Sequence, residues 1–331
     1  DATINSITVG KGANSVAGNT VLGESALDAA VTGGNNTAIG LRSLTTNTSG
    51  SENTAVGVDS LRFQTTGSNN TAIGYTSLNG NTTGSSNTGV GQSTLKVNTS
   101  GDSNTAVGRN ALAANTTGTV NVAVGAYALD ACNTGFNNVG VGTNALGAVT
   151  TGYMNTAVGN NCADAITTGL SNVAIGQSAL GATTTGNNNT AVGTSALESN
   201  TTAADNTGIG RSALLANTTG TANTAIGRLA LAANTTASNN TSVGYQSLNA
   251  NTTGTFNVAV GLGALINTTT SNGNTAIGWQ ALTGTSGNNN TAVGRQALEN
   301  NTANDNAAFG NIALRDNTSG SNNAAFGDRS L

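Results

Sequence analysis

A single pentapeptide returns at a fixed interval along almost the whole chain. A glycine closes an Asn-Thr-Ala-Val-Gly unit at Gly23, Gly40, Gly57 and onward to Gly310 and Gly327, nineteen times in 331 residues. Successive glycines stand 17 residues apart, except for two consecutive steps of 16, from Gly278 to Gly294 and from there to Gly310. Asn stands four residues before each of them, from Asn19 to Asn323. Leu stands four residues after in eighteen of the nineteen, Ala163 being the exception. Self-similarity at a fixed period marks an architecture in which each unit packs only on its neighbours.

The consensus N-T-A-V-G-x-x-A-L-x-x-N-T-T-G-S-x is too short for paired-helix repeats and matches no leucine-rich or propeller period. Gly, Asn and Thr are poor helix formers. Thr-Ala-Val-Gly alternates in the manner of a short strand. Asn-Thr-Thr-Gly reads as a turn, since Asn and Gly tolerate positive φ. Strand, turn, a second short segment at Ala-Leu and another turn make one rung. The expected fold is all-β: a parallel β-solenoid, or β-roll, of about nineteen coils. At about 4.8 Å per rung the stack would be a rod roughly 90 Å long. The Asn column would form an amide ladder, as in stacked cross-β structures. Ladder and turn together account for sequons such as Asn81-Thr82-Thr83 without glycosylation.

Composition narrows the function. Charged residues make up 7% of the chain, aromatics 3%, and there is neither proline nor histidine. The net charge is −4 with no basic stripe, which argues against a nucleic-acid partner. No apolar run approaches the length of a membrane span. Without His the usual general bases and triads are missing, and the acids Glu24, Asp59, Asp102, Asp130, Glu198 and Asp305 are scattered singly. Calcium-binding β-roll repeats need an Asp in every unit, which this chain lacks. Gly140-Val141-Gly142 and Gly208-Ile209-Gly210 imitate pieces of phosphate loops, but their recurrence at the repeat position makes them strand ends. The expectation is therefore no enzyme, no catalytic residue, no metal and no cofactor. Cys132 and Cys162 fall in different columns two coils apart, so a disulfide is not expected, and both read as small residues in Ala-like slots.

Each coil carries two large apolar residues, for example Val107 and Leu112. Burying one contributes about 1.5–3 kcal/mol, whereas ordering each residue's backbone costs about 1–2 kcal/mol. That imbalance suggests association. The Ala column (Ala38, Ala55, Ala72, Ala106) lies on the strand face opposite Val and Ile and would let another backbone approach closely. It is expected to meet neighbouring chains in a parallel homotrimer, intertwined or side by side. The alternative is a slim monomer with Ala filling a narrow interior. Residues 1–18 depart from the repeat and read as an irregular first rung, containing Ile7-Thr8-Val9-Gly10, that caps the first edge strand. Residues 19–331 form the solenoid, which stops in mid-repeat without a cap, as a fragment or a chain that continues would.

Asn70-Thr71-Ala72-Ile73-Gly74 and Asn172-Val173-Ala174-Ile175-Gly176 resemble the N-S-V-A-I-G-x-x-S motif of YadA-type heads in trimeric autotransporter adhesins. Those heads are left-handed parallel β-rolls assembled as trimers, with a repeat near fourteen residues. The fuller 17-residue pattern, with the opening Ile4-Asn5-Ser6-Ile7-Thr8-Val9-Gly10-Lys11-Gly12, resembles repeats of tail-fibre-like proteins of marine phages, including cyanophages. The resemblance implies an elongated homotrimeric fibre on a virion surface or extracellular appendage. The expected function is a structural rod, a tail-fibre-like shaft with a role in host attachment. The alternative is a bacterial adhesin head that binds host matrix or glycan. A third reading, ice binding, rests on Thr-rich columns such as Asn81-Thr82-Thr83, Asn115-Thr116-Thr117 and Asn217-Thr218-Thr219.

One column varies informatively. The residue after the motif glycine reads Arg211, Arg228, Tyr245, Leu262, Trp279, Arg295 in six consecutive coils, a stripe about 24 Å long at β spacing. Tyr75, Arg109 and Tyr127 occupy the same turn region of earlier coils. Tyr, Trp and Arg are over-represented at binding hot spots. The stripe is the candidate contact surface, for a cell-surface glycan or another virion or appendage protein, or else a variable solvent-facing turn.

Overall fold

The computed structural model describes residues 1–284 and 287–331. It divides into two compact units, Asp1–Thr168 and Gly169–Leu331, and each is a parallel β-solenoid. The first opens with β1 (Ala2–Ile4) and β2 (Ile7–Gly10), followed by β3 (Thr20–Gly23) and β4 (Thr37–Ile39). Three-residue strands then recur at the repeat interval to β11 (Thr156–Val158). The second unit runs from β12 (Val173–Ile175) to β21 (Ala324–Phe326). From β3 to β11, and again from β12 to β21, neighbours pair in parallel. Each residue sits opposite its copy one coil on, as Ala38 does with Ala55. The 16-residue steps keep this register (Thr275 opposite Thr291, Thr291 opposite Ala307). In the second of them the deletion falls outside the strand: the Asn301 amide reaches the Ala303 carbonyl two residues on, where other coils span three.

The opening segment is not a parallel rung. β1 and β2 form an antiparallel hairpin, and β2 lies antiparallel on β3. Its two-residue turn, Asn5-Ser6, has φ of 49° and 65°, the positive pair that a tight hairpin requires.

Two expectations about backbone and faces are corrected. First, the positive-φ positions are not in Asn-Thr-Thr-Gly. They are the second residue after the motif glycine (Asp59, 57°; Asn110, 58°), the residue before the motif Asn (Asn69, 60°; Asp205, 61°) and Leu itself (Leu61, 47°; Leu112, 52°). The Ala-Leu segment is therefore a chain of tight bends rather than a second strand. A left-handed Leu costs about 1–2 kcal/mol. Complete burial of the side chain, about 1.5–3 kcal/mol, offsets this, and the Leu61 N–H donates to the Ser77 carbonyl of the next coil at 3.0 Å. The motif glycine is doubly constrained. At Gly74 φ is 134°, and a Cβ would lie 2.4 Å from the Gly91 carbonyl oxygen stacked upon it.

Second, the Ala column faces inward. Ala38, Ala55, Ala72 and Ala106 are fully buried within the single chain, while Ile73 and Val124 remain 41% and 36% exposed. The interior between strand and Leu layer admits a methyl and little more. A Cβ added at Gly208, which takes the Ala place in its coil, would already lie 3.2 Å from Leu197 Cγ. From β4 onward only Ala, Gly or Ser takes that place, Val21 of the first coil being the one branched residue in it, and alternation turns Val and Ile outward. The core of a coil is consequently Ala, Ala, Leu and two Asn, as in Ala106, Ala111, Leu112, Asn104 and Asn115.

Candidate functional site

Two amide ladders run through the interior. In the first, the Asn53 N–H and its Nδ2 both donate to Asn36 Oδ1, at 3.0 and 3.1 Å, and Nδ2 also donates to the Gly67 carbonyl at 3.0 Å. The arrangement recurs at Asn70, Asn87, Asn104, Asn121 and Asn138. Each side chain thus satisfies a backbone amide as well as the next side chain, which exceeds the side-chain ladder expected from the sequence. The second ladder is built from the Asn of Asn-Thr-Thr-Gly: Asn98 Nδ2 donates to Asn81 Oδ1 at 2.7 Å, and Asn115 Nδ2 to Asn98 Oδ1 at 2.7 Å. The Gly101 carbonyl joins the two, accepting from Asn87 at 2.8 Å and Asn98 at 3.0 Å. Buried polar groups must be paired, and these Asn residues are paired by copies of themselves.

The second ladder breaks where Cys132, Val149 and Ile166 take its slot in the first unit and Thr268 in the second, whereas Thr183 continues it by accepting from Asn200 Nδ2 at 3.2 Å. Asn115 Oδ1, facing Cys132 instead of an amide, is left buried without a partner. Both cysteines are buried, and neither is in a disulfide. Cys162 does take an Ala slot, but Cys132 takes this Asn slot, and burial pushes its thiol up to about 11. Ala163, in the Leu column, is followed by Ile166, fully buried in the same coil. The volume lost in one column returns in the other.

The Thr of the proposed ice-binding columns donates along the stack, Thr82 Oγ1 to the Thr99 carbonyl at 2.8 Å and Thr99 Oγ1 to the Thr116 carbonyl at 3.0 Å. Among the described residues no three Cys, Asp or Glu side chains come together as a metal site.

The candidate contact stripe lies in the second unit, where Arg211, Arg228 and Arg295 are exposed and Tyr245, Leu262 and Trp279 are 40%, 47% and 40% exposed. The motif glycine ends the strand, so the residue after it projects from an outer bend in every coil. The Arg228 guanidinium lies over the Tyr245 ring at 5.6 Å from its centroid, and that of Arg295 over Trp279 at 5.1 Å. Such pairs contribute about 0.5–1 kcal/mol each at exposed sites and hold the side chains in place. In the first unit Arg109 lies over Tyr127 at 4.8 Å and also hydrogen-bonds its hydroxyl, while Tyr75 stands exposed at 55%. A second aromatic feature escaped the sequence reading. Phe136 and Tyr153 stack with centroids 4.7 Å apart and planes 5° from parallel. Each precedes its motif Asn (Asn138, Asn155) by two residues in adjacent coils, and that shared place in the repeat was the available signal.

What the fold defines is a β-solenoid repeat protein with stacked Asn ladders. Against known proteins the chain matches no protein-family model, and no curated protein aligns with it significantly.

Proposed function

We propose that this chain is the structural rod of an extracellular or virion fibre, a shaft of the tail-fibre kind with a role in host attachment, and that it works as a parallel homotrimer. The observation that supports this is the outward face of the strands. In coil after coil it presents the same two columns, Thr or Val and then Val or Ile, as at Thr54 and Val56 or Thr71 and Ile73. No strand from β3 to β21 carries a charged residue. Soluble single chains rarely leave a contiguous apolar patch of this kind uncovered, and one-sided sheets bury such faces against another layer. The association face is thus the Val and Ile column rather than the Ala column. Three copies of one chain would bring identical faces together with no charge to bury.

Light scattering on a sizing column tests the reading. A mass near 96 kDa, three times the 32.1 kDa chain, is expected. A mass near 32 kDa would overturn the trimer and bring forward the lone-solenoid and ice-binding readings, to be followed by a thermal hysteresis assay.

A further inference from the structure

We infer that the outer bends around Leu262 form a saccharide-binding notch, and that its ligand is an anionic polysaccharide. This rests on the reading of the chain as a surface-displayed rod. The notch spans three coils. Its walls are the rings of Tyr245 and Trp279, two rungs and therefore about 9.6 Å apart. Arg228 covers Tyr245 from the coil before, and Arg295 covers Trp279 from the coil after. With the guanidinium coming from the far side in each case, the face of each ring left to a ligand is the one on the side of the Leu262 coil.

The intervening coil is cut away. Beyond Leu262, 47% exposed, comes Gly263, where the flanking coils carry Gln246 and Gln280. Gly263 has a φ of 65°, and a Cβ there would have nothing nearer than Gln280 Cγ at 3.6 Å. The absent side chain leaves room that a Cβ would fill in ordinary contact with Gln280 Cγ and, at 4.0 Å, Ile266 Cδ1. The result is an apolar floor, two aromatic walls, two amides that both donate and accept, and a cation outside each wall. Small-molecule sites combine an apolar lining with a few convergent polar groups in this way. A pyranose ring, with C–H faces for the aromatic walls and hydroxyls for the amides, has matching chemistry.

The anionic character follows from the charges. In an acidic chain, three of the five Lys and Arg residues of the second unit (Arg211, Arg228, Arg295; the others are Arg315 and Arg329) stand in this one column. From the coil of Arg211 to that of Arg295, neither that column nor the next one holds an acid. Arg flanks the notch on both sides along the stack, so it suits a polymer lying along the coils better than a single sugar. A sugar carboxylate or sulfate would reach the guanidinium edge while its face stays over the ring.

The test is affinity electrophoresis of the full chain through gels containing polygalacturonate, with dextran, dextran sulfate and single-stranded DNA as comparison probes. Retardation by polygalacturonate is expected, weakened at least tenfold by Gly263→Asn and by Tyr245→Ala with Trp279→Ala. Asn suits positive φ and occupies the equivalent place at Asn110, Asn144 and Asn161, so the first variant fills the notch without changing charge or fold. Tyr75→Ala with Arg109→Gln, in the first unit, should leave retardation unchanged. No retardation by polygalacturonate would overturn the inference. So would retardation that Gly263→Asn and the aromatic variant leave intact, which would mean simple charge attraction shared with dextran sulfate and DNA. The mass of the same sample separates the two readings. A trimer without retardation sinks the notch alone, and a monomer with notch-dependent retardation sinks the trimeric rod alone.

Discussion

Replacing Asn104 by Asp exchanges one amide for one carboxyl in the middle of the first ladder. Asn104 is fully buried. Its Nδ2 donates to Asn87 Oδ1 at 3.1 Å and to the Gly118 carbonyl at 2.8 Å, and its Oδ1 accepts the Asn121 N–H at 3.0 Å and Asn121 Nδ2 at 3.2 Å. In Asn104→Asp the accepting side is unchanged, but the donating side becomes an oxygen facing two acceptors. Full burial raises a carboxyl pKa by up to about 3–5 units, each worth about 1.4 kcal/mol. The two donors from Asn121 favour the charged form and offset part of that. The expected loss of stability at pH 7 is therefore about 3–5 kcal/mol. When protonated, the group recovers one of the two lost bonds, and the loss falls to about 1 kcal/mol. The sign is that of an acid whose folded pKa lies above its unfolded value near 3.9. The folded state holds the proton longer, so the variant's deficit is small near pH 4 and grows as pH rises through the folded pKa. Denaturant unfolding of wild type and variant from pH 3.5 to 7.5 gives the difference directly. A pH-independent difference under about 1 kcal/mol would refute the buried, donating role assigned to the ladder amides.

Ala106→Val should destabilise the single chain by about 1–3 kcal/mol, because the Ala place faces the Leu layer. Val107→Ser, on the outward face, should instead lower the mass seen by light scattering while each chain stays folded; equal effects of the two on chain stability would reverse the face assignment. Cys132 and Cys162 should resist a disulfide-exchange reagent at pH 8 and react only in denaturant. Both are buried, and burial holds the Cys132 thiol protonated up to about 11; prompt labelling of the native chain would contradict this.

The period and the short strand were legible because Gly, Asn and Leu recur in fixed places. The buried Asn column was legible because an Asn repeated at rung spacing can pair with its own copy in the next coil. Which face points inward was not. Thr-Ala-Val alternates whichever way it is turned, and only the narrowness of the interior, seen where Gly208 meets Leu197, decides for Ala. The second ladder was hidden because Asn-Thr-Thr-Gly has the composition of a turn, and its own Asn is not at positive φ. The bends reside partly in Leu, a residue with no preference for that conformation, so nothing at Leu61 or Leu112 announces them. Their neighbours Asn110, Asn69 and Asp205, of types that favour positive φ, carried the weaker signal. The stripe was visible as a column, but the cut-away coil at Gly263 gains meaning only between Tyr245 and Trp279.

Identical rungs carry no address. A chain folding onto the uniform stretch from Asn200 to Asn251 meets the same amide, the same glycine and the same strand one coil further on. Skipping a coil there expels a loop whose closure entropy rises only slowly with length, and the register that alternation fixes within a strand is blind to an error of one whole repeat. The irregular coils are not. A slip across Cys132 would set Val149 beneath Asn115, and a slip across Ile166 would part it from the space that Ala163 leaves. The places that weaken the ladder are thus the ones that number the coils, and a fully consensus version of this chain would gain hydrogen bonds while losing its means of counting.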